Sequence, residues 1–245
     1  MLPAQPSPLF QRVAHYYNGR LLRRAFHAVW WRGIEAFTTR PHRPLLIYAN
    51  HPGWWDPLLA FFVVRRTERD GYMMGEEKTL RTFRFFRWMG GFSVDRTNAR
   101  DVAQSIRYAS ERLDGPATAL WMFPQGAIVP PDKRPVAFFP GVAHVVRRAP
   151  DCIAIPAAIR YEFDDQPRPE AFLDFGAGEA GRDLAARDIT TLTHHLQARL
   201  TERMDALREA VWERRREGFT LALRGRRSIS DLYADAVARL TGRPG

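Results

Sequence analysis

The chain has 245 residues, 45% of them hydrophobic, enough for one α/β domain with a filled core and extra helices. A net charge of +10 favours a polyanionic partner, either nucleic acid or the anionic face of a membrane. No stretch approaches the ~20 uninterrupted apolar residues of a bilayer span, no signal-peptide pattern opens the chain, and the single Cys152 cannot form an intramolecular disulfide; the reading is a non-transmembrane protein with a buried thiol.

Residues 1–8 are a proline-punctuated lead-in. From Leu9 to Phe37 the spacing is helical, with Phe10, Val13, Tyr17 and Leu21 near one face, a bend expected at Asn18-Gly19, and Leu22, Phe26, Val29, Trp30 and Phe37 continuing the pattern. Seven arginines against Glu35 alone in residues 1–44 make this a basic amphipathic helix pair, suited either to a membrane interface or to packing on the core. Leu45 to Tyr48 is a short strand buried on both faces. Asn50-His51-Pro52-Gly53-Trp54-Trp55-Asp56-Pro57 follows, and Asp56-Pro57 is expected to cap a helix to Arg66. After a loop at Asp70-Gly71, Glu76–Met89 is predicted helical and Phe92–Val94 a strand. Asn98 caps a helix to Leu113, Ala117–Phe123 is a strand, and Gly141–Arg148 a helix. Cys152–Ile159 is a strand broken by Pro156, Phe172–Phe175 the last strand, Asp188–Glu217 a long helix and Ser230–Leu240 a short one. Gly176 to Gly181 fits G-x-G-x-x-G, but no second strand with a ribose-binding acid follows, so a dinucleotide site is rejected. This alternation predicts an α/β fold with a mostly parallel or mixed sheet flanked by helices: residues 1–40 as an amphipathic element, 41–245 as one αβ domain.

His51 and Asp56 lie five apart on a strand-to-helix turn. An Asp that accepts one ring N–H fixes the imidazole tautomer and leaves the other nitrogen as a general base. The plain alternative is that Asp56 is only a cap and His51 only a turn residue. No serine or cysteine accompanies the pair, so such a base would act on a hydroxyl brought by a substrate. No metal-ligand set is found, since His194-His195 are adjacent and point apart on a helix. No helix-turn-helix or aromatic-basic strand signature supports nucleic acid.

Four blocks in order resemble the glycerolipid acyltransferases, the 1-acylglycerol-3-phosphate acyltransferase family. Asn50-His51 to Asp56 is similar to N-H-x4-D, Gly90 to Arg96 to G-x-x-x-x-D-R, Phe123-Pro124-Gln125-Gly126 to F-P-E-G, and Ile155-Pro156-Ala157 to V-P-V. The resemblance spans about residues 45–160 and implies an αβ acyltransferase domain behind an amphipathic element. It implies His51 as base and Asp56 as its orienter, with Arg96, Gln125 and Gly126 at the acceptor. It also implies a thioester donor, acyl-CoA or acyl-carrier protein, with no cofactor, and peripheral attachment to an anionic membrane on its cytoplasmic face. Where the family continues Glu-Gly-Thr-Arg, this chain has Gln125-Gly126-Ala127-Ile128, and Lys133 or Arg134 are the expected replacements for the lost cation. The expected function is acylation of a 1-acylglycerol 3-phosphate or related lysolipid hydroxyl. A glycolipid or lipid-linked sugar is the alternative acceptor. A non-catalytic basic membrane-binding protein is the rival of another class.

Overall fold

The computed structural model describes residues 1–226; the helix expected at Ser230–Leu240 lies outside the described residues. Helix α1 (Pro8–Ala25) starts where Ser7 caps it, its hydroxyl accepting from Phe10 N–H, with Pro8 in the first turn where an N–H would go unpaired. α1 runs unbroken through Asn18-Gly19. Both residues are buried, and Asn18 donates through Nδ2 to the Leu58 carbonyl, so the expected bend is instead a close packing point.

The second helix of the expected pair is not formed. Ala28–Arg32 is a strand, β1, followed by a single turn, α2 (Glu35–Thr38). Val29, Trp30 and Trp31 suit a pleated surface, and pairing on both sides of β1 satisfies its backbone. Trp31 is in the core and Trp30 donates to Glu170, so neither indole is an interfacial anchor.

The chain continues through β2 (Leu45–Ala49), α3 (Asp56–Arg66), β3 (Asp70–Glu76), α4 (Glu77–Thr82), α5 (Phe85–Trp88) and β4 (Gly91–Val94). Next come α6 (Ala99–Arg112), β5 (Thr118–Met122), α7 (Gly141–Arg148), β6 (Ile153–Glu162), β7 (Glu170–Phe175) and β8 (Glu179–Ala180). α8 (Gly181–Ala185), α9 (Ile189–Trp212) and β9 (Thr220–Arg224) complete the described residues. Asn98 caps α6 and Asp188 caps α9, each side chain accepting first-turn N–H groups. The inward stripe of α9, from Leu192 through Leu196, Leu200, Met204 and Leu207 to Val211, is buried as its spacing predicts. The expected loop at Asp70-Gly71 is instead the start of β3. The helix expected over Glu76–Met89 is split in two at Phe83-Arg84, and β7 is not the last strand.

The nine strands form one mixed sheet in the order β4-β3-β5-β2-β6-β7-β1-β9, with β8 paired to the start of β6. β4, β3, β5, β2 and β6 are mutually parallel; β7 and β9 run against their neighbours β6 and β1. Pro156 does not break β6. Its carbonyl accepts from Gly176 N–H just where β7 ends, so its ring nitrogen faces the gap between β7 and β8 and no ladder bond is lost.

Alternate residues of the central strands feed two cores. Leu45, Ile47, Trp121 and Ile155 pack under α1 and α3, while Leu46, Tyr48, Leu120 and Ala154 pack under α6, α7 and α9. The crossover after β2 therefore covers one face, and those after β4 and β5 cover the other. In such sheets a crevice opens at the carboxyl ends of the strands where the crossovers change face, here between β2 and β5. That is where the His51 turn begins.

Candidate active site

His51 leaves the end of β2 on a turn held from three directions. Asn50 extends the ladder with its side chain: Nδ2 donates to Ile159 O at 2.9 Å and Oδ1 accepts from Ile159 N at 2.7 Å, both on β6. The His51 N–H donates to Gln125 Oε1 at 2.8 Å, and the His51 carbonyl accepts from Val129 N–H at 2.9 Å. The imidazole stacks on Phe123 with centroids 4.6 Å apart.

Asp56 is the first residue of α3, not its cap; Trp55 holds that position without a side-chain bond. The Asp56 carboxylate turns back over the loop. It lies 2.5 Å from His51 Nδ1 through Oδ2, which also accepts from Gly53 N–H at 2.9 Å, while Oδ1 accepts from the Tyr161 hydroxyl. Asp56 is fully buried, and burial pushes its pKa above the usual carboxylate range against the bonds from His51, Tyr161 and Gly53 that favour the anion. Burial, then the Asp56 charge, raises the Tyr161 hydroxyl well above its ordinary pKa, so it stays a donor. With Asp56 ionised, Nδ1 carries the proton and Nε2, which bonds to none of the described residues, is free to accept one.

Arg96 follows β4 and reaches the same edge. Its guanidinium lies over the Phe139 ring, 5.2 Å from the centroid, and against Gly126. Gly126 has φ +66°, and a Cβ there would sit 2.2 Å from Arg96 Nη1, so both backbone conformation and space require glycine. Among the described residues Arg96 forms no ion pair. A groove of about 550 Å³ opens beside it, lined by Glu76, Glu77, Lys78, Arg81, Asp95 and Arg96 among others. Within it Arg81 is tied to Glu77 at 2.5 Å, while Lys78 joins no ion pair among the described residues.

The turn, Arg96, Gln125 and Gly126 thus meet as the motifs imply, but Lys133 and Arg134 do not join them. Arg134 is bonded to Asp205 of α9 at 2.5 Å and to the Pro131 and Lys133 carbonyls; Lys133 is exposed, and neither lines the groove. Gln125 also acts differently from the expectation that it faces the acceptor. Its carbonyl oxygen holds the His51 backbone, a bond that a glutamate would make equally well, so the loss of charge leaves the turn intact. Sequence reasoning missed Lys78, Arg81, Asn50's side-chain ladder and Tyr161. Lys78 was visible as one of two lysines, but its relevance depends on β3 being a strand that ends at this edge.

Fold and site together define an α/β enzyme with a carboxylate-buttressed imidazole at the carboxyl edge of a parallel sheet. The Acyltransferase family model matches residues 31–160, more than half of the chain, and no curated protein matches it. The chain belongs to the acyltransferase family and is an acyltransferase, which removes the non-catalytic reading.

Proposed function

We propose that the enzyme moves a fatty acyl group from a thioester of coenzyme A or acyl carrier protein to the hydroxyl of a lysolipid such as 1-acylglycerol 3-phosphate. The observation that carries this reading is the His51–Asp56 couple; among the described residues Nε2 has no partner and no serine or cysteine bonds to His51. The acceptor hydroxyl supplies the nucleophile. Nε2 takes its proton as the oxygen attacks the thioester carbonyl carbon; the C–S bond then breaks, and the leaving thiolate takes the proton from the imidazolium. The products are an ester and a free thiol.

In this reading the acceptor phosphate lies in the groove, gripped by Arg96 with Lys78 as the second cation. Competition between lysophosphatidic acid and a lipid-linked glycoside, measured as acylated product from each, is expected to favour the phosphate. Arg96→Ala should raise the apparent KM for it by about 10–100-fold with a smaller change in kcat, the scale of a charge-assisted bond. A second reading rests on Glu76, Glu77 and Asp95, which offset the groove's cations and suit a neutral sugar head group. Equal or reversed preference would select it.

Attachment to the cytoplasmic face of an anionic membrane belongs to the same proposal. Leu9, Val13, Tyr16 and Tyr17 stand exposed along one side of α1, interleaved with exposed Arg12 and Arg20. Among the described residues no helix is long and apolar enough to cross a membrane. Binding to phosphatidylglycerol-containing vesicles should weaken on raising salt from about 0.1 to about 0.5 M. Val13→Glu with Tyr17→Glu, both at exposed positions, should lower it at least tenfold at unchanged stability. Undiminished binding by the double variant would move the contact elsewhere.

A further inference from the structure

We infer that Tyr161 is a positioning residue for acyl transfer, holding the Asp56 carboxylate to the rotamer and charge state in which it serves His51. The inference rests on the reading of His51 as the base.

Its ground is the way the two ends of the carboxylate are divided. Oδ2 faces His51 Nδ1 and Gly53 N–H, both from the turn that Asp56 itself closes; Oδ1 meets the Tyr161 hydroxyl, from β6 on the other side of the crevice. Tyr161 is thus the only tertiary anchor recorded on Asp56 outside its own turn, among the described residues. The ring is fixed in turn. Phe26, the residue that ends α1, stacks on it with centroids 5.5 Å apart, and Gly53 is bare of a side chain where a Cβ would come 3.0 Å from Tyr161 Cε2. β6 extends past the end of β2, which carries Tyr161 out over the turn.

Among the described residues no charged group besides His51 bonds to the carboxylate. From β5's loop His51 meets Phe123 and Gln125, and from α1 the contacts are Asn18 on Leu58 and Phe26 on Trp55 and Tyr161. Among the described residues Tyr161 is therefore the one titratable group, besides His51, that bonds to Asp56.

The consequence has a definite sign. A donor to Oδ1 stabilises the carboxylate form of the couple more than the form that has taken up a proton. Its removal makes the couple hold that proton to higher pH, so less base is present at neutral pH. Tyr161→Phe keeps the ring and deletes only the hydroxyl.

The test is an imidazole NMR titration of the full-length protein, with the His51 signal assigned by its loss in His51→Ala, alongside pH–rate profiles for release of thiol from palmitoyl-CoA with a lysolipid acceptor. In Tyr161→Phe the proton-uptake midpoint of the couple and the acid limb of kcat should both move up by about one pH unit. At neutral pH kcat should fall about tenfold with KM little changed. In an Asp56→Asn background the same substitution should have less than a twofold further effect, which a general loss of packing would not produce. An unmoved midpoint in a folded Tyr161→Phe protein, or the full tenfold loss persisting beside Asp56→Asn, overturns the inference. If His51→Ala stays active while the midpoint shifts, the base assignment fails and the Tyr161–Asp56 link stands.

Discussion

His51→Ala is expected to lower acyl transfer by on the order of 10⁴-fold or more, with Asp56→Asn within about tenfold of it. The ring does little to hold the fold. It is on a turn, partly exposed, and stacks on Phe123. The turn itself is kept by the His51 backbone bonds to Gln125 and Val129, which alanine retains. The variant should therefore melt within a few degrees of the parent and still bind acceptor at Arg96. Asp56→Asn either keeps only a neutral oxygen opposite Nδ1, with its amide turned to the Tyr161 hydroxyl, or turns the amide to Nδ1 and the Gly53 N–H and favours the wrong tautomer. Activity of His51→Ala within tenfold of the parent would overturn the mechanism.

Arg69→Ala is expected to cost about 3–5 kcal/mol of stability. Arg69 is 4% exposed and lies between α3 and β3. Its guanidinium donates to the carbonyls of Phe37, Arg40 and Arg43, with Thr118 at the margin of bonding distance. Phe37 lies in α2, whose single turn leaves its carbonyl without a helical partner, and Arg40 lies two residues beyond its end. Carbonyl dipoles, not a carboxylate, thus balance this buried charge. Alanine would leave several acceptors orphaned in a dry site, and the stretch from 37 to 43 that leads into β2 would lose its tether. Urea unfolding should show the midpoint falling at constant slope. Arg69→Lys, one ammonium in place of a fork, should recover less than half. A loss under about 1 kcal/mol would mean that water replaces the guanidinium at no cost.

The helices with strong start signals were legible, because a cap is a local bond: Asn98 and Asp188 satisfy N–H groups two or three residues away and need nothing else from the fold. The apolar strands β2 and β5 were legible for a similar reason, since four or five consecutive buried residues are hard to place otherwise. β1 was not. Its tryptophans continue the spacing of α1, and only the flanking edges of β7 and β9 convert them to a strand. β3 was missed because Gly71 and Gly75 and its charged ends hide any alternation. The split of Glu76–Met89 into two short helices has no local signal that we can identify.

At the site, the sequence by itself determined the motif residues, though not the cations around them. Asn50, His51, Asp56, Arg96 and Gly126 carry their spacing as motifs, because each motif sits where a strand ends and the chain must turn, so local geometry fixes its place. The same motifs point to the chemistry proposed above, a base acting without a protein nucleophile. The tertiary structure alone decided the surroundings. Tyr161 reaches Asp56 from 105 residues away because β6 outruns β2. Lys78 enters the groove because β3 lies parallel to β4 and ends at the same edge, while Arg134 is drawn off to Asp205. Such partners are set by which strands are neighbours, and strand order depends on pairing and burial summed over the whole sheet, which no window of sequence contains.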